Sequence, residues 1–458
     1  MSRPTPISGF PEWLPPQRMI EQYVIEKVRA TFELYGFAPL ETRSVEPLDQ
    51  LLRKGETSKE VYVLRRLQEE ERRPQEEERR PQEDENAKSD DVLGLHFDLT
   101  VPFARFVLEN SGKLQFPFRR YQIQKVWRGE RPQEGRYREF VQADIDVVDR
   151  DNLPFHYDTE MPLVIGDAFA ALPMIPPARI QVNNRKLCEG FYRGLGIEDT
   201  DQVLRTIDKL DKIGPEKVAA LLIETAGTTD AQAAACLRLA SISAEDGSFV
   251  DAVRSLGVDD PLLDEGLAEL LRVVETAAEH APGLVAAELK IARGLDYYTG
   301  TVYETQLRGY ERFGSICSGG RYDNLATAGN ERFPGVGISI GLSRMLGLLF
   351  GQGALGVSRS VPTCVVVALP AEEQRAQCDR IAAALRRRGI ATEVAPSAAK
   401  FGKQIRFAER RGVPYVWFPG LDGAADEVKD IRSGDQIEAD AASWEPPPGD
   451  RQPVVSAT

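Results

Sequence analysis

Ile20, Val24, Val28 and Phe32 recur at every fourth position, the spacing of one helix face, and Gly36 closes the run. Residues 37–42 read as a short strand. Its Pro39 cannot donate to a ladder, which puts it at a sheet edge or a subunit boundary, and helix, strand and proline together suggest a dimer seam. Asp98 and Leu99 end a strand, and Pro102 sits where a first helical turn tolerates it. Residues 118–128 and 136–148 alternate between apolar and polar, predicting a long hairpin around a polar loop with Gly129, Pro132 and Gly135. Residues 204–281 are rich in Ala, Leu and acidic side chains at helical spacing, with breaks at Gly214-Pro215 and Gly227, so a helical module is inserted between two sheet-forming halves. Residues 335–341 form a small-residue strand that runs into a helix.

After a linker at 351–360, the pattern changes. Residues 364–369, 391–394 and 413–418 read as strands, and 371–388 and 401–411 as helices. This alternation predicts a small α/β domain with a parallel component. The proline-bearing tail 446–458 reads as flexible. Between residues 64 and 95, Glu69-Glu70-Glu71-Arg72-Arg73-Pro74-Gln75 repeats at once as residues 76–82. The period of seven offers no apolar seam and each repeat holds a proline, so residues 67–91 read as a charged, disordered loop rather than a coiled coil.

At 458 residues the chain exceeds one ordinary core, and 42% hydrophobic with 28% charged residues describes a soluble protein of two or three units. No apolar run approaches the roughly 20 residues of a membrane helix, and the N-terminus has no basic-then-apolar signal pattern; a cytoplasmic location is expected. Five cysteines without a CxxC and three scattered histidines indicate neither a disulfide framework nor a metal site. A net charge of −14 opposes general adhesion to nucleic acid but leaves room for a local basic face. Such a face lies in residues 385–412, where Arg386, Arg387, Arg388, Lys400, Lys403, Arg406, Arg410 and Arg411 meet only Glu393 and Glu409. It suits phosphate contacts as well as it suits a solvated helix pair.

Two places concentrate chemistry. The hairpin loop gathers Arg128, Glu130, Arg131, Arg136 and Arg138, and Arg344 arrives from a separate element. Guanidinium forks from two sources would clamp a triphosphate, or else form surface ion pairs. Ahead of the apolar residues Val302 and Tyr303, the stretch 292–300 sets Arg293, Asp296, Tyr297 and Tyr298 among glycines. Taken alone it fits either an ion pair at a strand entrance or a site.

Read together, these motifs resemble a known family. Trp127-Arg128-Gly129-Glu130 with Arg136, Gly341-Leu342-Ser343-Arg344, and the helix–strand segment with Pro39 resemble the three motifs of class II aminoacyl-tRNA synthetases. Arg293-Gly294-Leu295-Asp296-Tyr297-Tyr298 and Gly319-Gly320-Arg321-Tyr322-Asp323 are similar to the histidine signature and a second element of the histidyl-tRNA synthetase family. The resemblance runs from about residue 9 to about residue 439.

It implies an α+β catalytic domain on an antiparallel sheet at residues 1–355, with a helical insertion at about 200–282. It further implies a C-terminal α/β anticodon-binding domain at 361–445 and a homodimer. Histidine would be activated by ATP, accompanied by Mg2+, to histidyl-adenylate and passed to tRNA(His). Arg128 would hold the α-phosphate, Arg136 and Arg344 the outer phosphates, and Glu130 would lie near the adenine amine. Arg293 would stabilise charge at the α-phosphate from the other side. Asp146, Tyr298 and Tyr322 match imidazole-reading positions, with Tyr297 beside them, and Asp98, Thr100 and Gln142 match positions that hold the α-amino group. Gln133 in the hairpin loop would touch the acceptor end of the tRNA. Many bacterial relatives carry Glu where this chain has Asp98 and Asp146, and His96 stands where an arginine is common. A non-catalytic paralogue that partners ATP phosphoribosyltransferase in histidine biosynthesis is the alternative. Such paralogues typically lose the signature arginine and the C-terminal domain, and both are present here.

Overall fold

The computed structural model describes residues 4–52, 60–65, 92–292, 297–421 and 423–458. The chain forms two compact units, one of residues 1–11 and 25–348, the other of residues 12–24 and 349–458. The charged repeat and the loop 67–91 lie outside the described residues.

The first unit is built, among the described residues, on a nine-stranded sheet. Its order is Ala38–Pro39, Phe118–Trp127, Glu139–Val148, Glu331–Gly341, Cys317–Ala328, Thr301–Leu307, Ala178–Asn184, Val285–Glu288 and Ser243–Ala244. The five central strands from Phe118–Trp127 to Thr301–Leu307 pair antiparallel throughout. Parallel pairing occurs at Ala38–Pro39 and between Ala178–Asn184 and Val285–Glu288. Pro39 sits on the edge strand, as its missing N–H requires.

The hairpin pairs Arg120 with Asp146 and Gln124 with Gln142. Along Glu139–Val148, Ala143, Ile145 and Val147 are fully buried on one face, while Gln142, Asp144 and Asp146 share the other and are buried too. A strand with one polar face usually turns that face to water. Here it turns inward, and the site described below explains why.

Residues 200–280 are helical in the main, in the segments Thr200–Ile207, Leu210–Ile213, Pro215–Ala226, Asp230–Ala240, Phe249–Arg254 and Pro261–His280. The last packs against helix Arg185–Gly194 at backbone contact. A Cβ on Gly266 would meet Leu187 N at 2.1 Å, and one on Gly190 would meet Leu263 N at 2.2 Å. The same segment lends strand Ser243–Ala244 to the sheet, so it closes back onto the body it interrupts.

The C-terminal unit holds a five-stranded sheet in the order Thr392–Val394, Val365–Val367, Tyr415–Phe418, Glu427–Asp430, Gln436–Glu438. The first three strands are parallel, and the last two complete an antiparallel edge. Helices Arg375–Arg387 and Phe401–Glu409 supply Cys378, Ile381, Ala382, Leu385 and Ala408 to the core around Trp417.

Two expectations are corrected here. The linker 351–360 contains strand Leu355–Val357, and the tail 446–458 is not loose, because Val455–Ala457 pairs with that strand. Buried Arg359 donates to the carbonyls of Asp450 and Arg451 at 2.7 and 3.0 Å. The Asp450 carboxylate accepts from Tyr415 and Arg432, at 2.7 Å each. The prolines suggested looseness, but these contacts join residues some 90 positions apart and leave no periodic trace in the sequence.

Candidate active site

A cleft of about 410 Å³ opens on the hairpin side of the large sheet. It is lined by Arg128, Glu130, Arg136 and Gln142 from the hairpin, by Glu304 and Ser318 from the central strands, and by Arg344 from the first turn of helix Leu342–Gly351. The loop is held in place by its own backbone. Gln133 N donates to Arg136 O at 3.2 Å and Arg136 N to Gln133 O at 2.9 Å. Gly135, with φ of 68°, lies against Leu348 where a Cβ would clash at 2.7 Å. Arg128 is steadied by a 2.9 Å bond from Nε to Phe97 O and lies over the Phe140 ring. Glu130 is 3.7 Å from Arg128 and 3.5 Å from Arg136, so one carboxylate sits between two cations that a phosphate chain would take over. Arg344 donates to Phe313 O. The structure therefore brings together Arg128, Glu130, Arg136, Gln142 and Arg344. Gln133 is exposed on the loop.

The cleft continues, through Ser318 and Ser339 which line both, into a small pocket of about 20 Å³. Thr100, Asp144, Asp146, Tyr297, Tyr298 and Tyr322 surround it. That is the room of about one water molecule, and it opens onto the larger cleft. Asp146 is held on both oxygens: Tyr322 donates to Oδ1 at 2.7 Å and Arg120 Nη2 lies 2.6 Å from Oδ2. Tyr297 and Tyr298 face each other with ring centroids 4.1 Å apart. Asp98 accepts from Val101 N at 3.1 Å at the start of helix Thr100–Asn110, with its charge felt by Tyr297. Glycine makes the pocket possible. A Cβ on Gly337 would sit 2.1 Å from Asp146 Oδ1, and one on Gly320 would sit 2.7 Å from the Tyr298 ring.

Arg293 and its neighbours 294–296 lie outside the described residues. In the Gly319–Asp323 element, Tyr322 turns to the pocket while Arg321 turns the other way to bind Asp158 at 2.7 Å. Among the described residues, no group of three or more His, Cys, Asp and Glu is placed to hold a metal ion.

Two residues escaped the sequence reading. Arg120 is fully buried, stacked 4.4 Å from the Phe103 ring centroid, and supplies the cation that orients Asp146. Asp144 lies between Gln142 and Asp146 on the same strand face and lines the pocket. The alternation of the strand carried the signal for Asp144, since residues i, i+2 and i+4 share a face.

On the C-terminal unit, Arg386, Arg387, Lys400, Lys403, Arg406 and Arg410 are exposed. Arg388 is used internally: its guanidinium donates to Trp444 O at 2.6 Å and to the carbonyls of Ala441 and Ser443 at 3.1 Å each.

Comparison with known proteins follows the same division. Residues 83–345 match the family described as histidyl-tRNA synthetase, and residues 363–443 match the anticodon binding domain family. A histidine–tRNA ligase of Cutibacterium acnes is 57% identical over 465 residues that span the whole of both chains. One of Micrococcus luteus is 58% identical over 459 residues, all of this chain and 99% of the relative. The crystal structure of histidyl-tRNA synthetase from Nostoc sp. PCC 7120 superposes with a TM-score of 0.83 at 35% identity, covering 96% of this chain and 97% of that one. A Bacillus halodurans structure titled as an ATP phosphoribosyltransferase regulatory subunit/histidyl-tRNA synthetase shares the fold, with a TM-score of 0.71 at 17% identity over 90% of this chain and 97% of that one.

Proposed function

Because the chain belongs to the histidyl-tRNA synthetase family, we propose that the cleft binds ATP, the small pocket binds histidine, and residues 361–445 hold the anticodon end of the tRNA. The protein is a histidine–tRNA ligase: it activates histidine with ATP to histidyl-adenylate and transfers the histidyl group to tRNA(His). One observation carries the assignment of parts. The arginine-lined cleft and the Asp–Tyr pocket meet at Ser318 and Ser339, so an α-phosphate in one would face an amino-acid carboxylate in the other.

In this reading Arg128 holds the α-phosphate and Arg136 and Arg344 the outer phosphates. Glu130 is released from its two arginines to meet the adenine amine. A histidine carboxylate oxygen attacks the α-phosphorus in line, the bond to the bridging oxygen of the β-phosphate breaks, and pyrophosphate leaves. The carboxylate is already a nucleophile, so no general base is needed; fixed positive charge lowers the barrier as negative charge grows. Arg293 is assigned to that charge by the resemblance of its motif. Mg2+ enters with the nucleotide. In the second step a hydroxyl oxygen of the terminal adenosine of tRNA attacks the acyl carbon, the bond from that carbon to the phosphate oxygen breaks, and AMP and the hydroxyl proton leave.

Asp146, aimed by Tyr322 and Arg120, and Tyr298 read the imidazole, with Tyr297 packed beside them. Thr100, Gln142 and Asp98 hold the α-amino group. A site that pairs each polar atom of its substrate rejects analogues that lack those atoms far more strongly than an apolar slot does. Gln133 and the basic residues Arg386, Arg387, Lys400, Lys403, Arg406 and Arg410 contact tRNA. A homodimer is supported by edge strand Ala38–Pro39 and by Leu34, 87% exposed beside it in sequence. No helix among the described residues is long and apolar enough to cross a membrane.

The full-length likeness to ligases at 57% and 58% identity outweighs the regulatory-paralogue alternative. Histidine-dependent exchange of pyrophosphate into ATP, followed by charging of tRNA(His), tests the assignment. Purified protein that shows no exchange would sink it.

A further inference from the structure

Asp144 is 3% exposed, and its Oδ1 is a buried atom that accepts no hydrogen bond among the described residues. Gln142 Oε1, two residues earlier on the same face, is likewise without a donor. Buried acceptors of this kind cost stability unless something completes them. Both belong to residues that line the joined cleft and pocket, where a ligand with N–H donors would complete them.

The charges point the same way. Asp144 is faced by Asp146 on its own strand, by Asp98 from the segment ahead of helix Thr100–Asn110, by the Ser339 hydroxyl from strand Glu331–Gly341, and by Arg120 from strand Phe118–Trp127. Tyr297 feels the charge of all three aspartates. Asp144 thus sits beside two other carboxylates, and Arg120, which offsets its charge, gives its short contact to Asp146. Burial pushes the Asp144 carboxyl up to about 7, against the pull of Arg120. Tyr297, Tyr298 and Tyr322 are among the residues that line the pocket, and aromatic rings suit a flat aromatic cation.

We propose that Asp144 is a second imidazole-reading carboxylate, whose Oδ1 shares a proton with a ring nitrogen of bound histidine and so selects a basic ring over a neutral one of the same shape. The inference rests on histidine being the substrate. With Asp146 already engaged on both oxygens by Tyr322 and Arg120, Asp144 offers the acceptor whose partner is still to come.

The test compares histidine with 1,2,4-triazol-3-ylalanine, whose near-isosteric ring is too weakly basic to be protonated at neutral pH. Amino-acid-dependent pyrophosphate exchange is measured for the full-length wild type and for Asp144→Asn. The variant is expected to raise the KM for histidine about tenfold to a hundredfold, the range for a lost charge-assisted hydrogen bond. The KM for the triazole should rise by about threefold at most, and the KM for ATP should stay within about twofold. An unchanged histidine KM overturns the inference. Equal losses for both amino acids overturn it too, because the contact would then be to the shared amino group. A rise in the ATP KM equal to that for histidine would show a merely structural role. If the wild type shows no histidine-dependent exchange, the functional assignment itself falls, an outcome distinct from a failure of Asp144 alone.

Discussion

Tyr322 donates its hydroxyl hydrogen to Asp146 across an intervening strand. Tyr322 lies on Cys317–Ala328 and Asp146 on Glu139–Val148, with Glu331–Gly341 between them, yet the oxygens are 2.7 Å apart. The bridge exists because Gly335 and Gly337 put no side chain in the way: a Cβ on either would fall 2.5 Å from the Tyr322 ring or 2.1 Å from Asp146 Oδ1. The small-residue strand is therefore a gap through which two distant strands build one pocket wall.

Removing the hydroxyl should separate binding from folding. Tyr322→Phe is expected to raise the KM for histidine roughly tenfold while costing about 1 kcal/mol of stability, the scale of one buried hydrogen bond. Exchange kinetics and chemical denaturation measure the two. Unaltered histidine KM would mean that Asp146 needs no help to be aimed.

The arginines of the cleft should act on the nucleotide. Arg136→Ala and Arg344→Ala are each expected to lower kcat/KM for ATP by about a hundredfold, with histidine binding by calorimetry little changed. Loss of histidine affinity in these variants would show that cleft and pocket are not divided as assigned.

Asp144 gives stability a pH dependence whose sign follows from its environment. An unfolded aspartate titrates near about 4, whereas burial pushes the folded carboxyl up to about 7. Between those values the folded chain keeps a proton that the unfolded chain has lost, so this group's stabilisation is full below about pH 4 and is lost as pH rises through about 7. Asp144→Asn needs no proton. Its Tm relative to wild type should therefore climb between pH 5 and pH 8, by about 2 °C or more, in scanning calorimetry. A difference that stays flat with pH would show that Asp144 is ionised throughout.

The basic residues of the C-terminal unit should divide into two kinds. Lys403, Arg406 and Arg410 are exposed, while Gln404 and Ala408 of the same helix are buried. Replacing the three with Ala should weaken charging through the KM for tRNA by roughly tenfold or more, flatten its salt dependence, and leave exchange intact. Arg388→Ala should instead lower stability by about 1–3 kcal/mol, since it frees the carbonyls of Ala441, Ser443 and Trp444. Reversed phenotypes would exchange their roles.

Local chemistry was legible without coordinates. Alternation located the hairpin, a four-residue period located the first helix, and the motifs named Arg128, Arg136, Arg344, Tyr298 and Tyr322. Arg293 is the limiting case, known from its motif alone. Those features depend on neighbours in the chain, and neighbours are what a sequence displays. Tertiary structure decided the rest. Only register across three strands puts Tyr322 on Asp146, and only burial on both faces turns Asp144 from a solvated carboxylate into a pocket acceptor. The same holds for Arg120 beneath Asp146, and for a tail fastened to a strand about 100 residues earlier. The sequence by itself determined which side chains were on hand. Long-range pairing, which leaves no periodic mark, determined which of them meet.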